Sequence, residues 1–219
     1  MHKNITKLSL LKQISVGCVL VISCALSSFV YISSAQAELF NGPLDRLTGI
    51  ERDSLRKGKV IVAGEDGKYV ARVLITASPS TVWHVLTDYE KLPDFIPNMM
   101  SSKVLERNGD RKVVEQVDSR QMFLINVRSR TKIAITETNQ KQIDFRLIDG
   151  DLASLSGSWK IESIAPLPGK PATQVLVTQT VEAQANAGVP QDTFYGIFKD
   201  SLSANLAAVS NEAIRRARL

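Results

Sequence analysis

Beyond residue 37 this chain of 219 residues has no cysteine and one histidine, His84. Cys18, Cys24 and His2 all precede that point. The remaining chain therefore has no disulfide, although an exported protein is free to form one. It lacks the second histidine or the cysteines that complete a typical transition-metal site. It also lacks a Ser-His-Asp set and a glycine-rich phosphate loop. Gly150 and Gly157 stand seven residues apart, a spacing that suits a tight turn and not a dinucleotide fingerprint. His84 lies between Trp83 and Val85 on a predicted helix, with Ser80 and Asp88 four residues away. A general base there would need a carbonyl substrate within hydrogen-bond reach, and a place on the outer side of the helix argues against one. The sequence assigns no catalytic residue, metal ligand or cofactor.

An excess of one charge is missing too, once the start is set aside. The formal charge of +5 comes from 27 basic and 22 acidic residues. Lys3, Lys7 and Lys12 account for three of the basic residues, which leaves 24 against 22 after Ala37. Nucleic acid is excluded as a partner on that balance. The start itself has three parts: the lysine head, an almost wholly apolar run from Val16 to Tyr31, and Ala35-Gln36-Ala37. This is the pattern of a secretory signal peptide over residues 1–37, cut after Ala37. Two other fates fit the same residues. The run is almost long enough to stay as a membrane anchor, and Val21-Ile22-Ser23-Cys24 is a loose lipoprotein-type site. Each implies export, to a periplasm or an equivalent lumen.

What remains suffices for one domain with a sizeable apolar core. Residues 38–57 read as a connector in which Leu44, Leu47, Ile50 and Leu55 would dock on that domain. From residue 58 the period is two. Lys59–Ala63 and Tyr69–Thr76 flank Gly64-Glu65-Asp66-Gly67, and Asp-Gly is a strong hairpin signal. Ser78 or Ser80 caps the next helix, Pro79 fits its first turn, and Val82, Trp83, Val85 and Leu86 form its buried side. A short helix or turn covers Glu90–Ile96. Strands follow at Ser102–Arg107, Lys112–Asp118, Ile125–Glu137, Gln142–Ile148, Leu155–Ile164 and Thr173–Glu182. Pro190 then opens a long helix with Phe194, Ile197, Phe198, Leu202, Leu206 and Val209 on one face. The predicted fold class is α+β: a curved antiparallel sheet wrapped around that helix, with a cavity between them and the Phe95 turn at its mouth.

The run strand, Ser78-Pro79-Ser80, Val82-Trp83, then Asp88-Tyr89 and Leu92-Pro93-Asp94-Phe95-Ile96-Pro97 resembles the START-like (helix-grip) superfamily. Within it, the polyketide cyclase/dehydrase and coenzyme Q-binding branch is the most similar. The resemblance covers about residues 69–217, and Val82–Pro97 is its most specific part. It implies a helix-grip domain over residues 58–219 with a deep tunnel for a lipid, quinone, sterol or polyketide. A minority of the family are enzymes. The leader sets this chain apart from ubiquinone-binding members that work inside mitochondria or the cytoplasm.

Ten residues are candidates for ligand contact. Phe95 sits between two prolines, which predict extended backbone at Asp94 and Ile96 and a stiff aromatic gate between them. Met99 and Met100 would line the entrance with adaptable side chains. Arg128, Arg130 and Lys132 must face water, so Ser129 and Thr131 face inward and would orient a polar head. Phe145, Trp159, Phe194, Phe198 and Leu202 would supply apolar wall. The basic groups Arg128, Arg130, Lys132 and Arg215, Arg216, Arg218 would meet a membrane surface if they are not simply solvated. Glu115 matters only if it points inward. The expected function is to bind or carry a small hydrophobic molecule, a lipid, isoprenoid or quinone-like compound. The alternatives are a cyclase/dehydrase-type enzyme, which needs an inward acid or base, and an assembly protein with a filled interior.

Overall fold

The structure is a computed structural model, and it describes residues 42–122, 125–165 and 169–219. Residues 1–37, the predicted leader, lie outside the described residues. Pro43–Leu219 forms one compact unit, so the connector packs on the domain from Pro43 onward. Helix α1 (Gly49–Arg56) starts at a capping box in which the Thr48 hydroxyl and the Glu51 carboxylate serve each other's backbone N–H. Its Leu55 joins Leu74 and Leu176, with Leu44 and Leu47 packed beside them. Leu74 and Leu176 point away from the main core, so α1 covers the back of the sheet. Ile50, expected to dock, is 82% exposed, because it lies on the other side of this two-turn helix.

The sheet has eight antiparallel strands in the order β1-β2-β8-β7-β6-β5-β4-β3. Strands β1 (Ile61–Glu65) and β2 (Lys68–Ile75) form a hairpin whose turn, Asp66-Gly67, has both φ angles positive. That geometry matches the twist of the flanking strands and favours Asp-Gly. Helix α2 (Pro79–Thr87) is capped by the Ser78 hydroxyl, which accepts from Thr81 N at 3.1 Å, and buries Val82, Trp83, Val85 and Leu86 as expected. A 3-10 helix, Tyr89–Asp94, then carries the chain to the far sheet edge. From there β3 (Met99–Asn108), β4 (Arg111–Met122), β5 (Ile125–Thr138), β6 (Gln142–Gly150), β7 (Leu152–Ile164) and β8 (Gln174–Ala185) meander back to β2. Most run longer than the sequence predicts. Gly157 lies mid-strand in β7, opposite Phe145, and not in a turn.

Helix α3 (Gln191–Arg216) follows β8 and lies on the concave face. Leu202, Leu206, Val209 and Ala213 are its buried stripe. They meet the inward stripes of the strands, among them Val73 and Ile75 of β2, Ile133 and Ile135 of β5, and Val175, Val177 and Val181 of β8. Fully burying such a side chain contributes about 1.5–3 kcal/mol, so helix and sheet hold each other. Among the described residues no helix is long and apolar enough to cross a membrane.

Candidate functional site

Sheet and helix do not close completely. A cavity of about 450 Å³ lies between α3 and the concave face. Its exposed wall residues mark the mouth: Val127 and Arg128 of β5, Asp151 between β6 and β7, and Asn186, Val189, Pro190 and Thr193 at the start of α3. Its buried wall residues mark the floor: Leu86 of α2, Tyr89, Leu92 and Ile96 of the 3-10 turn, and Val209 of α3. From Thr193 to Val209 the cavity follows α3 for about 24 Å at the helical rise.

This orientation reverses the expected one. The early helices and the proline-bracketed turn close the cavity and do not open it. Asp94 is the last residue of the 3-10 helix instead of being extended. Phe95 N and Ile96 N both approach Leu92 O, at 3.2 and 2.8 Å, so the turn winds tightly. That winding aims Leu92 and Ile96 into the cavity and sends Phe95 the other way. Phe95 packs at the edge of the core beneath the Arg216 guanidinium, 6.0 Å from its ring centre. It is not a gate. Met99 lines the cavity, but Met100 is 60% exposed and does not. Met100 falls in a register shift between Met99 and Ser101, which leaves it unpaired at the sheet edge.

The other seven candidates join Met99. Ser129 and Thr131 of β5, Phe145 of β6, Trp159 of β7, and Phe194, Phe198 and Leu202 of α3 line the same space as Met99. Phe194 stacks on Phe198 with ring centres 5.6 Å apart, and Phe198 meets Tyr69 of β2 at 6.2 Å. The basic groups are less available. Arg130 pairs with Asp149 at 2.7 Å and Glu115 at 3.3 Å on the outer face, which also settles Glu115 as outward. Arg215 and Arg216 both bind Glu212, and Arg216 reaches Asp88 at 3.1 Å.

Several polar wall residues were missed from sequence. The inward face of β4 carries Val114, Gln116, Asp118 and Arg120, not Val113, Glu115 and Val117. Register pairs Val114 with Ile133, Gln116 with Thr131 and Asp118 with Ser129. The signal was the pairing register, since the inward face of β5 fixes that of β4. Asp118 is half-buried, and loss of water pushes its carboxyl above the usual range while nearby Arg120 opposes the shift. At the floor, the Tyr89 hydroxyl donates to Glu137 at 2.7 Å, and Lys112 holds the other carboxylate oxygen at 2.7 Å. Burial and that carboxylate raise the Tyr89 phenol, so it stays protonated. Gln179 of β8 and Asn205 of α3 complete the polar set. A second groove of about 550 Å³ runs over β3–β6, but charged residues such as Glu106, Arg111, Lys112, Asp144 and Arg146 flank it, which suits no apolar guest. Among the described residues no group of acidic, histidine or cysteine side chains is placed to hold a metal ion.

A curved antiparallel sheet gripping one long helix around an apolar-walled cavity defines a START-like, helix-grip domain. The profile of the family described as polyketide cyclase / dehydrase and lipid transport matches residues 75–210, and the chain belongs to that family. No curated protein matches the sequence. Among solved structures, the Zhui aromatase/cyclase from Streptomyces sp. R1128 is similar, with 17% identity, TM-score 0.53, and coverage of 68% of this chain and 92% of that one. The STAR-related lipid transfer protein from Xanthomonas axonopodis has 15% identity, TM-score 0.53, and coverage of 70% and 92%. The human StarD13 lipid transfer and protein localization domain has 14% identity, TM-score 0.54, and coverage of 75% and 94%. Likeness at these identities is one of fold. The family joins binders of hydrophobic ligands with cyclases.

Proposed function

We propose that this protein binds and carries a small hydrophobic molecule, of lipid, isoprenoid or quinone-like character, in the cavity between α3 and the sheet. The observation that carries this reading is the cavity itself: an open mouth, an apolar floor and a volume of about 450 Å³. Ligand sites commonly combine such walls with a few polar groups and span about 300–1,000 Å³. We also propose that it acts outside the cytoplasm, on the strength of the lysine head, the apolar run and Ala35-Gln36-Ala37. Exposed Val127 and Val189 flank the mouth beside Arg128. That rim supports exchange of the ligand with an anionic lipid surface.

Native mass spectrometry of protein purified from its own host tests the reading, with uptake of the hydrocarbon dye diphenylhexatriene as a second measurement. A co-purifying hydrophobic mass and dye fluorescence support it. Protein that is empty from every preparation and leaves the dye dark overturns it.

One observation favours a second reading. Asp118 faces the cavity with a raised pKa and has Arg120 and Ser129 near it, the inward acid that an enzyme of the cyclase/dehydrase kind would need. A ligand recovered unchanged after incubation with the wild type and with Asp118→Asn supports the carrier. Conversion by the wild type alone supports the enzyme.

A further inference from the structure

Two enclosed carbonyl oxygens in the cavity wall have no hydrogen-bond partner among the described residues: Gln179 Oε1 and Asn205 Oδ1. Buried amides are almost always bonded, so each unpaired one asks for an explanation. The residue Gln179 is only 7% exposed. It sits in the inward stripe of β8 between Val175, Val177 and Val181, and its strand neighbour across β7 is Trp159. Asn205 lies on the face of α3 that carries Leu202, Leu206 and Val209. An apolar residue at either place would pack as well, so the amides cost stability in the empty protein.

The two stand at a similar depth. Gln179 is six residues inward from Ala185, about 20 Å along the strand. Asn205 is twelve residues inward from Thr193, about 18 Å along the helix. Two charged wall residues, Arg128 and Asp151, are exposed at the mouth, whereas the floor beyond the amides is apolar apart from the Tyr89 hydroxyl. Two wall hydroxyls are committed elsewhere: Ser201 Oγ donates to Ile197 O within its own helix, and Tyr89 donates to Glu137.

We infer that Gln179 and Asn205 form a neutral polar subsite deep in the cavity, which takes the hydroxyl of an otherwise apolar ligand. The ligand class is a hydrophobic alcohol or phenol that enters hydroxyl first. A carboxylate would bring a charge against two neutral amides that offer no cation to balance it. An ether or ester offers acceptors only. A hydroxyl both donates and accepts, so it serves an amide in either end-for-end orientation. The inference rests on the cavity being a binding site for a hydrophobe.

Displacement of bound diphenylhexatriene tests it with three probes of equal chain length: 1-tetradecanol, its methyl ether and 2-tetradecanone. The alcohol is expected to displace the dye at concentrations about tenfold or more below either of the others, since a site built for a hydroxyl rejects analogues that lack it. Gln179→Met and Asn205→Leu, each judged folded by its thermal melt, should each shrink the preference for the alcohol to about twofold or less in displacing the dye that they still take up. Should one variant fail to take up dye, the other decides. Equal displacement by the three probes, or a preference that survives in every variant that folds, overturns the subsite alone. Failure of the wild type to take up dye overturns the carrier reading beneath it.

Discussion

Asp118 shows what a cavity demands of a single residue. Its carboxyl is pushed up by burial. A raised acid destabilises the folded state where it is charged, and that cost disappears once pH falls below the unfolded value. Asp118→Asn should therefore raise the melting temperature at pH 7, and the gain should vanish as pH drops below the ordinary carboxylate range. Thermal melts at pH 7 and pH 3 check this, and an unchanged or lowered melting point at pH 7 would contradict the burial argument. Phe95 and Val189 separate the two ends of the cavity. Phe95→Leu should lower stability by about 1 kcal/mol through lost packing, yet leave the rate of dye release unchanged. Val189→Trp, at the mouth, should slow that release several-fold by narrowing the exit. Stopped-flow dye exchange measures both, and a faster release from the Phe95 variant would restore the gate.

At the scale of elements, the closed end depends on α3 and its contacts. The Glu212 carboxyl is held down to about 2, first by the hydrogen bond from Arg215 and then by Arg216, against the effect of burial. A lowered acid stabilises the fold above its unfolded value, and that contribution is lost as pH falls through the folded one. Acid unfolding of the wild type should thus include a loss between about pH 4.5 and 2 that Glu212→Gln lacks; at pH 7 the variant should be less stable by about 1–2 kcal/mol, because Arg215 and Arg216 lose their shared anion. In the sheet, Gly157 is needed because the strand must pass under an aromatic ring. A Cβ there would run into the Thr180 carbonyl oxygen and the edge of the Phe145 ring. Gly157→Ala should destabilise the domain and, by displacing Phe145 into the cavity, weaken dye uptake; fluorescence titration and thermal melts read the two effects.

For the whole molecule, the mature chain is expected to begin at Glu38, which intact mass measurement of protein from its own host checks directly. Retention of residues 1–37, or an acyl mass on Cys24, would instead reveal an anchor. On the proposed reading, in which the chain is exported and its cavity carries a ligand, that ligand is met at or near a lipid surface. Val127→Asp with Val189→Asp should reduce co-sedimentation with anionic vesicles without loss of thermal stability, since both side chains are already exposed.

Local chemistry made much of the fold legible from sequence. Asp66-Gly67 defines its hairpin because few other pairs accept two positive φ angles, and Ser78-Pro79 defines a helix start because cap and ring both fit only there. The alternation around Arg128, Arg130 and Lys132 placed Ser129 and Thr131 inward because long charged side chains must reach water. The helix stripe from Phe194 to Val209 named the face that meets the sheet. Tertiary structure alone decided which end of the cavity opens, since that depends on where the 3-10 turn meets α3, far apart in sequence. It decided that Phe95 packs beneath Arg216 and off the cavity wall. It also chose the inward face of β4, where Val113, Val114 and Val117 give no preference until Ile133 is the partner. Gln179 and Asn205 were visible as lone polar residues within apolar stripes, but only packing shows that nothing among the described residues answers their carbonyl oxygens.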